Sequence, residues 1–235
     1  MPFNFIDLET YQIDYKNLFE YFKNFPILDD ESLQKKYLYK WIGMIEHSDE
    51  LLVSQMNSKI QIFAHQQRTK KNKNYFVQDM HYGSNIVQIQ FQVDQLNTLL
   101  KMYDDNIFNQ KISTENFSGD LSCIQWQERK IEFCEKFNTE PIYILPFALG
   151  RKQYLVIDGN HRVTQAVQEK HSEISVIVLE EDFVIKNNIF PSEFDKLFYI
   201  FHNELSRFAN NKIQNNITDV MLLDTSYLNT EKINF

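Results

Sequence analysis

The sequence predicts an α+β protein in which a mixed-sheet core carries helical additions at its N- and C-terminal ends. Three observations lead there. Apolar residues recur at helical spacing in the first sixty residues, residues 141–180 read strand, strand, helix, strand, and helical periodicity returns after residue 189. On this basis the chain divides into a helical region over 1–75, a core over 76–185 and a second helical region over 186–235. A chain of 235 residues accommodates one elaborated domain or two small ones.

The N-terminal helices are read from YKNLFEYFKNF and from SLQKKYLYKWIGMIEHSDELLVSQMNSKI, where Leu38, Ile42 and Ile45 lie on one face. Pro26 and the acidic turn DDE separate the two, with Asp29 or Ser32 as the expected cap of the second. The polar stretch AHQQRTKKNKNY, residues 64–75, has no apolar period and reads as a surface loop. Its cluster of Arg68, Lys70, Lys71 and Lys73 also makes it a candidate contact for a nucleic-acid backbone.

In NIVQIQFQVDQLNTLLKMY, the alternation of Val87, Ile89, Phe91 and Val93 with Gln88, Gln90 and Gln92 predicts a strand with one wet face, followed by a helix from Asp94. Residues 104–122 read as turns, and WQERKIEFCEKF, residues 126–137, as a helix. PIYILPF is then a short strand expected to end at Pro146. After Gly150 come the strand YLVI, the junction DGNHR and a helix with Val163, Ala166 and Val167 on one face. SVIVLE, residues 175–180, completes a mixed sheet with a crossover helix packed on it. FPSEFDKLFYIFHNELSRFA predicts one further helix or a pair.

Composition narrows the function. A net charge of -8 and a pI near 5.3 argue against a molecule that gathers nucleic acid or anionic membrane over its whole surface, and leave only a local basic site open. Cys123 and Cys134 are too few for a disulfide scaffold and lack zinc spacing, so both are expected to be thiols in a reducing compartment. The first residues have no basic segment followed by an apolar one, and no apolar run reaches membrane-spanning length. The expectation is a soluble cytoplasmic protein without a membrane partner.

The chemistry concentrates in DGNHR. Only five glycines occur in the chain, and one stands between an aspartate and an Asn-His-Arg run where a strand gives way to a helix. Gly159 permits a backbone conformation or a close approach closed to other residues. The free N–H groups of the first helical turn favour an anion there. Arg162 adds a planar fork of donors suited to phosphate or carboxylate, and His161 adds a group that donates, accepts or carries a proton near neutral pH. The blander alternative is a capping Asp158, a structural His161 and an Arg162 paired with a surface acid such as Glu169.

Residues 141–180 resemble the core of ParB and sulfiredoxin-like domains, in which paired strands lead to a glycine-containing turn ending in arginine, then a helix and another strand. DGNHR is similar to the DGHHR or DGQHR form of free-serine kinases and of DGQHR-domain proteins of DNA modification systems. By the same resemblance, NIVQIQFQVDQLNTLL is the family's opening element, set apart by a long insertion. The resemblance implies phosphate contact by Gly159, Asn160, His161 and Arg162, with Asp158 and His161 as candidate catalytic groups and Asp158 as the metal-side carboxylate. It further implies a nucleoside triphosphate with Mg2+ as cofactor. Glu128, Glu132 and Glu135 are candidate groups on the acceptor side, with a solvated helix face as their ordinary role.

Two departures limit the carry-over. Chromosome-partitioning ParB proteins carry a GERR-like turn and a helix-turn-helix region, and neither is legible here. Sulfiredoxin needs a cysteine immediately before the His-Arg pair, where this chain has Asn160. The leading expectation is a nucleotide-binding protein that hydrolyses a nucleoside triphosphate or transfers its phosphate. The alternatives are a nucleic-acid-binding nuclease or DNA-modification or defence component, and a noncatalytic regulatory protein with a protein partner.

Overall fold

In the computed structural model, the structure describes residues 1–56, 74–102, 109–119, 122–130, 138–215 and 217–229. In chain order the elements are β1 (Phe3–Asn4), β2 (Glu9–Thr10), α1 (Tyr15–Lys23), α2 (Glu31–Met56), β3 (Tyr75–Tyr82), β4 (Asn85–Gln92) and α3 (Val93–Leu100). There follow β5 (Asn109–Ser113), a 3-10 turn (Thr114–Asn116), β6 (Ile124–Gln125), β7 (Ile142–Leu149), β8 (Lys152–Asp158), α4 (Asn160–Gln168) and β9 (Glu173–Val178). The chain continues through α5 (Glu181–Lys186), α6 (Glu193–Asn215) and α7 (Asp219–Asp224). The architecture is mixed α and β, with helices flanking a mixed sheet, and it falls into two compact units: Met1–Gln90 with Phe190–Phe235, and Phe91–Ile189.

The first unit is built on aromatic packing between α1, α2 and α6. Phe22 meets Phe201 edge-on at 5.0 Å, Trp41 lies 5.7 Å from Phe201, and Tyr82 of the β3–β4 hairpin lies 5.7 Å from Phe198. Leu38, Ile42 and Ile45 are buried, as the helical period requires. The hairpin turns through Gly83, whose φ of 62° is the positive value a two-residue turn demands at its first position.

Polar side chains tie this unit where backbone groups would otherwise be orphaned. Asp14 caps α1 through the amide of Asn17. Buried Gln34 accepts from the amides of Ile27 and Leu28 and donates to the carbonyls of Lys23 and Phe25, which pins the turn around Pro26. The cap of α2 is Asp30, which takes the amides of Ser32 and Leu33, in place of the expected Asp29 or Ser32. The amides of Asp29 and Asp30 are instead taken by Asp219 on α7. Ser192 and Asp195 open α6 as a capping pair, with Ser192 Oγ accepting from the Asp195 amide at 3.1 Å.

The second unit carries the five-stranded sheet, in the order β5-β9-β7-β8-β6. β7 runs antiparallel to β8 and parallel to β9, so the run from 142 to 178 is a hairpin followed by a crossover through α4. Val163 and Ala166 of α4 are fully buried and Val167 partly so, packed with Ile142, Ile144, Val156, Ile174 and Val176. β8 and β9 follow their sequence pattern to within two residues.

Four expectations are corrected. β7 continues through Pro146 to Leu149. The β9 ladder ends at Ile144, so the missing N–H of Pro146 interrupts no pairing on that side, and on the other a bulge follows between Pro146 and Leu149. Residues 109–113 form an edge strand paired antiparallel to β9, because strand pairing supplies what NQKIS lacks in apolar alternation. Residues 126–130 are irregular, and 131–137, with Cys134, Glu132 and Glu135, lie outside the described residues. The fourth is the cap of α2, which is Asp30. Residues 193–215 form one helix, the first of the two expected forms, and α7 is a separate short one. β4 pairs with β3 in its own two-stranded sheet, and α3 begins at Val93. The basic stretch with Arg68, Lys70, Lys71 and Lys73 lies outside the described residues. Among the described residues, no helix is long and apolar enough to cross a membrane.

Candidate functional site

β8 delivers the chain to the junction and α4 carries it away, and Gly159 makes the change of direction. Its φ of 88° and ψ of 19° are left-handed, a conformation that costs an ordinary L-residue about 1–2 kcal/mol. Space excludes a side chain as well. A Cβ on Gly159 would stand 2.8 Å from Cβ of Ile142 on β7 and 2.8 Å from Nη2 of Arg162. Ile142 is a fully buried core residue, so it has little freedom to withdraw. A rare glycine stands here because the backbone turns left-handed directly against the neighbouring strand.

The same glycine leaves the start of α4 without a side-chain cap. The first intrahelical bond runs from the Val163 amide to the Gly159 carbonyl at 3.0 Å. The amides of Asn160, His161 and Arg162 precede it, and no acceptor among the described residues takes them. The positive end of the helix dipole is therefore presented at the junction.

Arg162 is held between two carboxylates. Its Nη2 donates to Asp158 Oδ2 at 2.8 Å and its Nη1 to Glu140 Oε2 at 3.2 Å. The guanidinium side chain is 14 % exposed, and its buried Nε has no hydrogen-bond partner among the described residues. The surface pairing with Glu169 is not formed, since Glu169 accepts from Gln165 and from His171. Glu140 is a partner that the sequence did not disclose. β7 and β8 are antiparallel, with Tyr143 opposite Asp158, so the residues just before β7 lie at the sheet edge where β8 ends. Only the strand pairing reveals that proximity.

His161 takes no part in this network. It is exposed, and no hydrogen bond or ion pair engages it among the described residues. Asn160 is buried and committed elsewhere: its Oδ1 accepts from the Gln127 amide at 2.7 Å and its Nδ2 donates to the Val156 carbonyl. One turn further on, Thr164 Oγ1 accepts from the Arg129 amide at 3.0 Å while donating to the Asn160 carbonyl. Asn160 and Thr164 thus take alternate amides of the 127–129 segment, which hold it extended along α4 and explain why WQERK is not helical. The side chain of Asn160, expected to contact phosphate, is engaged with the Gln127 amide and the Val156 carbonyl.

The junction therefore assembles Asp158, Arg162, an exposed His161 and three open amides within one turn, with Glu140 from before β7 joined to them through Arg162. Glu128 is exposed and accepts from Gln168 Nε2 at 3.5 Å. Among the described residues, no group of three or more His, Cys, Asp or Glu is arranged to hold a metal ion. Cys123 is a free, half-buried thiol whose Sγ lies 3.7 Å from Oδ1 of Asn116. No family model, curated protein or solved structure matches the chain.

Proposed function

We propose that the β8–α4 junction binds the phosphate groups of a nucleotide. The observation that carries this reading is the uncapped start of α4: three amides without acceptors, flanked by His161 and Arg162, at a left-handed glycine that keeps the backbone bare. A phosphate oxygen would take the amides as acceptor, His161 would close over it from the solvent side, and Arg162 would supply charge-assisted bonds. Asp158 and Glu140, oxygen ligands that meet on Arg162, match the hard donors that Mg2+ prefers, and Asp158 would hold the ion that neutralises triphosphate charge. Hydrolysis or transfer of the terminal phosphate is the activity that such a site would support. The ion pair positions Arg162 in advance, and a phosphate would compete with Asp158 for the same guanidinium.

Thermal unfolding with ATP, CTP, GTP and ADP, each with and without Mg2+, tests the reading on wild type, His161→Ala and Arg162→Ala. His161 is exposed and unbonded among the described residues, so its alanine variant should melt as wild type does without nucleotide. A nucleotide-specific rise in melting temperature, reduced in both variants, is the expected result. Failure of every nucleotide to shift wild type would sink the reading and turn attention to nucleic-acid and protein partners.

A further inference from the structure

The first unit holds a cavity of about 560 Å3 between α1, α2, α7 and the segment that follows α7, with Phe19, Leu33, Leu223 and Leu228 on its walls. Its size falls within the range of small-molecule sites. Three polar side chains at its edge are already turned to the protein. The Tyr37 hydroxyl donates to Glu204 Oε1 at 2.7 Å, the Ser226 hydroxyl to the same oxygen at 2.8 Å, and Asn229 Nδ2 to the Leu223 carbonyl at 2.8 Å. Burial of Glu204 thus consumes the hydroxyls that would otherwise make the floor polar.

Apart from the exposed Tyr39, what remains polar is cationic. Lys35, Lys36 and Lys40 stand on one side of α2 at the cavity. Lys35 is paired with Glu31 at 3.5 Å, whereas Lys36 and Lys40 have no carboxylate partner among the described residues. Lys36 and Lys40 thus place two exposed ammonium groups beside an apolar wall. Lysine stems extend an apolar wall while the ammonium groups stay in water at its mouth.

We propose that this cavity binds a single-chain amphiphile with an anionic head group, its tail on Phe19, Leu33, Leu223 and Leu228 and its head at Lys36 and Lys40. The proposal stands independently of the β8–α4 junction.

Calorimetric titration of the whole chain with decanoate, decanol and decyltrimethylammonium tests it, on wild type and on Lys36→Gln/Lys40→Gln. Decanoate should bind saturably, one per chain, at least tenfold tighter than decanol, with the cation weakest. In the double variant decanoate should fall to the level of decanol, while decanol binding and the ligand-free melting temperature stay unchanged. Leu223→Glu, a half-exposed position, should weaken both ligands at least tenfold. Absence of saturable decanoate binding, equal binding of anion and cation, or a decanoate preference that survives the double substitution would each overturn the proposal.

Discussion

Tyr37 donates its hydroxyl to the fully buried carboxylate of Glu204 at 2.7 Å, and this bond is one of several that close on a single side chain. Trp41 Nε1 donates to the same oxygen at 3.0 Å, and the Tyr227 amide donates to the other at 2.6 Å. Arg207 Nη2 lies 3.4 Å from that second oxygen and stacks over the Tyr227 ring at 5.3 Å. Burial and the Glu204 charge together hold the Tyr37 hydroxyl well above the ordinary tyrosine range, so it stays a donor. Glu204 therefore joins α2, α6 and the chain after α7.

Glu204→Leu should destabilise the protein by about 3–5 kcal/mol, because it strands several buried donors at once. Glu204→Gln, which keeps one acceptor, should lose less. Urea unfolding followed by tryptophan fluorescence checks both, and a leucine variant as stable as wild type would contradict the role given to this carboxylate.

Stability should fall as pH rises from about 4 to about 7. Burial pushes the Asp195 carboxyl up from its ordinary value of 3.8 to about 7, against the hydrogen bonds from Ser192 and the Gln90 amide that favour the charged form. The folded state thus keeps a proton that the unfolded state releases. Its contribution is complete below the unfolded value and is lost as pH rises through the folded one. The neighbouring Tyr11 is itself raised by burial and by Asp195, and does not titrate in that window. The folding constant should drop by up to roughly tenfold per pH unit across the window. Asp195→Asn should flatten this slope in urea midpoints measured from pH 4 to 8; an unchanged slope would assign it to other groups.

Gly159→Ala should cost more than about 2 kcal/mol, combining the left-handed backbone with the collision against Ile142. Ile142→Ala in the same chain should recover the steric part and leave the conformational part, so the double variant should be less unstable than the two losses added together. Simple additivity in thermal unfolding would show that the close approach is not what demands glycine.

Asn160→Ala should free the 127–129 segment while leaving α4 folded, since Val163 and Ala166 still pack on the sheet. A loss of about 1–3 kcal/mol is expected from removal of the Asn160 side-chain bond to the Gln127 amide. Limited tryptic digestion should show faster cleavage after Arg129 and Lys130 in the variant than in wild type. Equal rates would mean that other contacts hold the segment.

The sequence by itself determined the parts governed by short-range pattern. The face of α2 made by Leu38, Ile42 and Ile45, the run β7, β8, α4 and β9, and the placement of DGNHR at a strand-to-helix junction all follow from apolar spacing and one glycine within about ten residues. The tertiary structure decided where the unpaired backbone and charged groups went. WQERK has helical spacing, yet its alternate amides go to Asn160 and Thr164, thirty-three and thirty-five residues away, and it runs extended. NQKIS is a strand because β9 offers it a ladder, Asp30 caps α2 while Asp219 relieves the amides before it, and Arg162 turns to Asp158 and Glu140 instead of Glu169. Local pattern decides which face a segment buries. Acceptors brought from distant parts of the chain decide how its hydrogen bonds and charges are satisfied, and those acceptors exist only once the strands have paired and the helices have packed.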